Sequence, residues 1–287
     1  MEIDKLWAKG EIRPKHTQEQ HLNYRVLFGA KEDRRRVLEP KLQGSPFDFH
    51  MAPLETADLA AFDAVIPLTL ADQAVLRHRR AAGESFACLL PDATTEALCH
   101  DKMALNLALI AAGFGQHIPP MQAAPPTDAA CYPLVLKLRR DEWGQHTRIL
   151  RDAAELTGFN PETAFLQDLV PGSDELATHL LVRGGEIRFD RTVHYTMEAP
   201  LLVKGRHANP SQSRWLPQTP GLALFQQMIR AIGFVDGICC IDYRLVDGVV
   251  QLFEINPRFG ASLAARADAL LPAYLAALAE GAAASAA

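Results

Sequence analysis

The sequence predicts an α/β protein, continued by sheet built from hairpins, on three observations. Short apolar runs alternate with helical stretches through the first hundred residues, and long strand-like runs beyond residue 170 are joined at Gly184-Gly185 and Asp247-Gly248. The third is an apolar fraction of 48 % in 287 residues, enough to fill more than one core. Alternation of strand and helix favours a parallel layer, and glycine pairs between apolar runs favour hairpins.

In chain order, "YRVLFGA" reads as a strand, "AFDAVIPL" as a second ending at Pro67, "TLADQAVLRHRRAAG" as a helix to Gly83 and "SFACLLP" as a further strand. "TTEALCHDKMALNLALIAAGFGQHIPP" reads as one helix, with Thr95 as N-cap, apolar positions from Leu98 to Ile110 and a stop at Gly113. "MQAAPPTDAACY" is loop, "YPLVLKLRR" a strand, "DEWGQHT" a turn, "RILRDAAELTG" a helix, and "TAFLQDLVPG" a strand running into the Pro171-Gly172 break. "LATHLLVRGGEIRFDRTVHYTM" is a hairpin, "GLALFQQMIRAIG" a helix, "VDGICCIDYRLVDGVVQLFEINPR" a second hairpin, and "ASLAARADALLPAYLAALAE" a closing helix whose alanine-rich continuation from Gly281 is expected to fray. Residues 204–221 are polar, turn-rich and aperiodic, yet carry Lys204, Arg206, His207, Arg214 and Trp215, which makes the segment a candidate substrate lid.

The formal net charge is −5 and the basic residues are scattered apart from Arg34 to Arg36, so nucleic acid is not the expected partner. No apolar run in the sequence reads as a membrane span, and the opening "MEIDKLWAKGEIRPKH" lacks the apolar core of a signal peptide; a cytoplasmic protein is expected. Five cysteines without CxxC spacing argue against a disulfide framework or a zinc site, and ten histidines include no HExxH. GxGxxG after a strand, GxSxG and a Cys/His motif are all absent, so neither a dinucleotide fingerprint nor a covalent nucleophile is indicated.

The chemistry concentrates in "QLFEINPRFGAS", where an apolar strand ends in Glu254, Asn256 and Arg258, groups that are costly to bury unpaired. Side chains alternate with period two, so Cys240, Asp242 and Arg244 share one face of the first strand, and Leu252, Glu254 and Asn256 one face of the second. Folding at Asp247-Gly248 brings Asp242 toward Glu254, gathering two carboxylates and one amide, a donor set suited to Mg²⁺ that keeps waters and takes phosphate oxygens. Taken alone, the same carboxylates read equally as salt-bridge partners of Arg244 or Arg258. Lys137 at the end of "YPLVLKL" also calls for an anionic partner.

Taken together, the "DK" at 101–102, "YPLVLK", "FLQDLVPGSD" and "IDYRLVDGVVQLFEINPR" stand in the order found in ATP-grasp enzymes, and "EINPRFGAS" closely resembles the metal-binding segment of that superfamily. The resemblance covers roughly residues 95 to 265. It implies an α/β domain over 1–98, a subdomain over 99–172 carrying two lysines and a hinge, and an α+β subdomain over 173–287 carrying the metal site, the last two gripping ATP. It implies that Lys102 and Lys137 contact nucleotide phosphates, that Gln167, Asp168 and Val170 form the adenine hinge, and that Asp174 takes the ribose hydroxyls. Asp242, Glu254 and Asn256 would hold Mg²⁺ or Mn²⁺, and Arg258 would stabilise charge on the transferring phosphoryl or acyl phosphate. The implied reaction is ADP-forming ligation of a small-molecule carboxylate to an amine; the alternatives are a kinase-like or thiol-ligating member, or a nucleotide-binding protein without turnover. One departure stands out: where many members cover the phosphates with a glycine- and serine-rich loop, "LRRDEWGQHTR" has only Gly144, and Arg139, Arg140 or His146 would substitute.

Overall fold

A computed structural model describes residues 23–141, 144–199 and 210–285, with side chains to residue 280. The first layer is a parallel sheet in the order β2-β1-β3, formed by β1 (Tyr24–Gly29), β2 (Phe47–Ala52) and β3 (Ala64–Ile66), with helices α1 (Glu32–Leu42) and α2 (Leu70–Ala81). Helix α1 has few apolar residues and contains Pro40, so it carries no helical apolar period for a sequence reading to find. At α2 the signal is strong. Thr69 and Asp72 form a reciprocal capping box, and Asp72 packs so close to Gly29 that a Cβ there would lie 2.3 Å from its Oδ2. "SFACLLP", expected as a strand, joins no sheet; it is extended chain whose Ala87 carbonyl accepts the Val65 N–H at 2.8 Å.

The single helix expected over 94–113 is two, α3 (Ala93–His100) and α4 (Lys102–Leu109), and the N-cap of the first is Asp92 rather than Thr95. Asp101 breaks them: it caps α4 through Ala104, its carboxylate holds the Arg139 guanidinium at 2.7 Å, and the Lys102 N–H donates to the Arg139 carbonyl. Lys102 is consequently the first residue of α4 and not an interior residue of one long helix.

A second, antiparallel sheet has the order β4-β7-β5-β6, from β4 (Met121–Gln122), β5 (Leu134–Leu138), β6 (Arg148–Leu150) and β7 (Ala164–Asp168). The helix expected over 148–158 is absent; Leu150 and Ile149 pair with Leu134 and Val135, and Leu150 is buried among Leu134, Leu136, Ala164 and Leu166. Pairing and burial there outweigh a local helical period.

The third sheet is antiparallel with order β10-β9-β8-β11-β12, formed by β8 (Asp174–Arg183), β9 (Glu186–Thr196), β10 (Gln212–Trp215), β11 (Gly237–Val246) and β12 (Val249–Asn256). Both hairpins turn where the sequence places them, with φ of 50° at Asp247 and 80° at Gly248. One face of this sheet packs Leu180, Ile241, Tyr243 and Leu252 against Phe225, Met228 and Ile229 of α5 (Leu222–Ala231). Fully buried side chains of this kind each contribute about 1.5–3 kcal/mol. Its other face packs Leu181, Phe189 and Ile238 into the core of the first layer and leaves the remainder for the site.

The closing helix α6 (Ala267–Ser285) continues through Gly281, the point from which the sequence leads one to expect fraying. The stretch Ala261–Glu280 is long and apolar enough to cross a membrane by length and composition, contrary to the sequence reading. In the fold that apolar surface is buried: Leu263, Leu270, Leu271 and Tyr274 pack with Tyr24, Val26 and Phe28 of the first sheet. The Tyr274 hydroxyl accepts the Leu89 N–H at 2.9 Å and donates to the Val65 carbonyl at 3.1 Å. Tyr274→Phe leaves both backbone groups buried without this partner, and an unmet buried group costs about 1–3 kcal/mol. Urea unfolding is expected to show a lower midpoint at unchanged slope; an unshifted midpoint contradicts this role.

Candidate active site

The open face of the third sheet and the facing side of the second sheet enclose a cavity of about 380 Å³. Val135 and Lys137 reach it from β5, since the alternate residues Leu134 and Leu136 are buried in the core of their own sheet. Lys137 Nζ donates to Gln167 Oε1 at 2.8 Å and sits 5.5 Å from the centre of the Phe253 ring. Burial pulls its pKa down to about 8, with Glu254 pulling upward and Lys102 adding to the depression. Gln167 is fixed in turn by donating from Nε2 to the Pro119 carbonyl at 2.8 Å.

The metal-type trio assembles on β11 and β12. Asp242 stands opposite Glu254 and Cys240 opposite Asn256, and Asn256 Nδ2 donates to Asp242 Oδ2 at 3.1 Å and to Glu254 Oε1 at 2.8 Å. The register then shifts: Tyr243 pairs with Leu252, which makes Phe253 an extra residue on β12. This bulge corrects one expectation. Leu252 turns into the core with Tyr243 and does not share the face of Glu254, while Phe253 lines the cavity.

Lys102 Nζ lies 3.3 Å from Glu254 Oε2 and donates to the Asp141 carbonyl. Burial alone raises the Glu254 carboxyl; Lys102, the Asn256 hydrogen bond, Lys137 and Arg258 outweigh it and hold the group below the usual range. Arg258 is buried on the same wall. Among the described residues, no cluster of three or more His, Cys, Asp and Glu side chains is arranged to hold a metal ion. Two carboxylates and an amide in mutual contact instead suit a hard cation that completes its shell with water and ligand oxygens, so the donor set fits Mg²⁺ or Mn²⁺.

The remaining expected residues divide. Gln167, Asp168 and Val170 line the cavity, Asp168 accepting from Gln122 Nε2 at 2.6 Å and the Val170 carbonyl accepting from Arg244 Nη1. Asp174 does not line it; its carboxylate is exposed and bonded to His194 Nε2 at 2.8 Å. Of the adjacent pair Asp174-Glu175, the acid that faces the cavity is Glu175, which sequence reasoning missed. Carrying the period-two reading onto "DELATHLL" puts Glu175, Ala177 and His179 on one face and Asp174 on the other, so the signal was present. Arg244 lines the cavity with Asp242, as its strand face implied; Tyr195 and Ser262 also line it and were not singled out.

Arg139, Arg140 and His146 are not on the wall. Arg139 and Arg140 serve Asp101, His146 serves Asp141, and Gly144 and Thr147 line the cavity from that loop. Of the candidate lid, Lys204, Arg206 and His207 lie outside the described residues. Its second half includes strand β10, where Arg214 Nε donates to His194 Nδ1 at 3.2 Å and Trp215 pairs with Val193.

No protein-family model and no curated protein sequence matches the chain. Solved structures do. An L-amino acid ligase from Bacillus licheniformis is 19 % identical with a TM-score of 0.55, over 85 % of this chain and 69 % of that one. D-alanine–D-alanine ligase from Bacillus anthracis is 12 % identical with a TM-score of 0.58, over 90 % of this chain and 96 % of that one. The same ligase complexed with ATP gives 12 % identity and a TM-score of 0.56, over 89 % and 95 %. These are ATP-grasp ligases, and the chain has the ATP-grasp fold.

The Lys137 ammonium is charged below about pH 8 and neutral above it. Attraction for a polyphosphate anion is therefore lost as pH rises through that value. Calorimetric titration with ADP is expected to show affinity falling between pH 7 and 9, and Lys137→Arg, charged throughout, is expected to flatten the fall. An identical profile in the variant rules out Lys137 as its source.

Proposed function

We propose that this chain is an ATP-dependent ligase that activates a small carboxylic acid as an acyl phosphate, releasing ADP, and passes the acyl group to an amine. The observation that carries this reading is the gathering of Asp242, Glu254 and Asn256 with Lys102, Lys137 and Arg258 in one cavity of the ATP-grasp fold. The two ligases it resembles, which join amino acids by name, support the coarse reaction class.

In this reading the adenine lies in the apolar part of the cavity, between Val135, Ile149, Phe253 and the hinge residues Gln167 to Val170. Glu175, as the acid facing that end, takes the ribose hydroxyls in place of Asp174. Lys137 and Lys102 hold the phosphates, Lys102 exchanging part of its contact with Glu254 for a phosphate oxygen. Asp242, Glu254 and Asn256 hold Mg²⁺, which when bound offsets the negative charge shared by the triphosphate and the attacking carboxylate. The Arg258 guanidinium, buried beside them, offers fixed donors to the charge that develops during transfer. Each group here positions or neutralises; none is a nucleophile, in keeping with a reaction in which the acid itself attacks phosphorus.

ADP release measured with Mg·ATP, a panel of carboxylic acids and a panel of amines tests the reading. Turnover is expected to need a divalent cation and a carboxylic acid. Glu254→Gln is expected to lower kcat by about 10²–10³-fold, the scale on which a single electrostatic group acts at a reacting centre. Acid-dependent ADP release that persists in excess chelator, or in Glu254→Gln at the original rate, refutes it.

A further inference from the structure

The cavity face of the third sheet is organised in rows across the strands. Nearest the hinge, Glu175 pairs with Tyr195. The next row runs Glu254, Asp242, Ala177, Val193 and Trp215, and the row after it Asn256, Cys240 and His179. His179 thus lies four residues beyond Glu175 along β8, roughly 13 Å at strand spacing. The cavity's four carboxylates among the described residues, Asp168, Glu175, Asp242 and Glu254, all belong to the hinge or the first two rows.

The third row is built differently. His179 is buried, its Nε2 lies 2.8 Å from Ser262 Oγ, and its ring fits against Gly260 so closely that a Cβ there would meet Cε1 at 2.3 Å. Behind it the Trp215 ring is 6.0 Å away, with the Arg266 guanidinium 5.0 Å from the centre of that ring. Arg258 and Ser262 complete this end of the cavity. It offers a guanidinium, an imidazole and a hydroxyl, and in the ligase reading its nearest carboxylates, Asp242 and Glu254, would be taken up by the cation. A buried ammonium placed here would face positive charge without a counter-ion, whereas a hydroxyl, keto or carboxylate oxygen would find donors.

We infer that this third row is the pocket for the acid substrate, and that it selects a small carboxylic acid bearing a neutral or anionic substituent, such as a hydroxy, keto or dicarboxylic acid, over a zwitterionic α-amino acid. The inference rests on the ligase reading above. It separates this chain from structural neighbours whose names specify amino acids. His179 and Ser262 act on specificity by positioning the substituent, while the carboxylate itself points to the Asp242 row.

The test measures ADP release at saturating Mg·ATP with hydroxylamine as the nucleophile, so that the unidentified amine is not needed. Acids are supplied in matched pairs: lactate with alanine, phenyllactate with phenylalanine, malate with aspartate. At least one hydroxy acid is expected to exceed its amino acid partner tenfold or more in kcat/KM. His179→Glu, which places a carboxylate in the third row, is expected to shift that ratio toward the amino acid tenfold or more at unchanged KM for ATP. Ser262→Ala, a smaller change that keeps the test decisive if the first variant does not fold, is expected to raise KM for the hydroxy acid several-fold and leave KM for ATP alone. Amino acids at parity or ahead in the unaltered protein overturn the inference and leave the ligase reading standing, as does an unchanged KM in Ser262→Ala. Absence of acid-dependent ADP release with every pair overturns both.

Discussion

The register of the β11–β12 hairpin is the constraint on which the site depends. With no bulge, strict alternation would give Leu252 the same face as Glu254 and expose it to the cavity. The extra residue at Phe253 resolves the conflict: Tyr243 and Leu252 turn into the core, while Asp242, Glu254 and Asn256 turn together toward the cavity. One strand pair thereby serves an apolar core and a polar site. Phe253 is not wasted, because its ring lies 5.5 Å from both the Lys137 ammonium and the Arg244 guanidinium. These cations are placed over an aromatic face at the edge of the site.

Gathering Asp242 against Glu254 is unfavourable without positive charge nearby, and the chain supplies it from three distant segments: Lys102 at the start of α4, Lys137 on β5 and Arg258 just past β12. Removing one partner from such a buried set costs about 3–5 kcal/mol, because the remaining charge is left uncompensated. Burial in the same place, aided by Lys102 and opposed by Glu254, lowers the Lys137 pKa to about 8. Both features describe a site balanced for an added cation and an added anion together. A cluster selected for stability alone would do as well with apolar residues of similar volume.

Much of this was legible from the chain. The two hairpins were found because their turns are local chemistry: Asp247 and Gly248 both take positive φ, which few residue pairs accept. The Asp242, Glu254, Asn256 and Arg258 grouping followed from period two and from the motif at the strand end. What stayed hidden depended on distant partners. The break at Asp101 exists because Arg139, just past the end of β5, holds its carboxylate. Strand β6 was mistaken for helix because Leu134 and Val135 decide its conformation. Asp174 was chosen over Glu175 because the motif marks a position to within one residue, and one residue in a strand is the opposite face.

The placement of Arg258 shows how the first layer enters the chemistry. Residues 257–262 follow β12 and are held by the first layer as well as by His179 of the third sheet. Gln73 Nε2 of α2 donates to the Pro257 carbonyl at 2.7 Å, and Phe259 packs edge-on against Phe28 of β1 at 6.2 Å. Leu263 and Ala264, which follow at once, are buried in the same core as β1 and α6. The segment that supplies Arg258, Gly260 and Ser262 to the cavity is therefore anchored to the parallel layer at one end and to the metal-type trio at the other. His179 needs Gly260 held at that position, since the ring occupies the space of a missing side chain. The first layer also meets the third sheet directly, through Leu181, Phe189 and Ile238 in the same core, so the end of the cavity lined by Arg258, Gly260 and Ser262 is shaped by both. The opposite end, around Val135, Gln167 and Glu175, is lined by the second and third sheets instead.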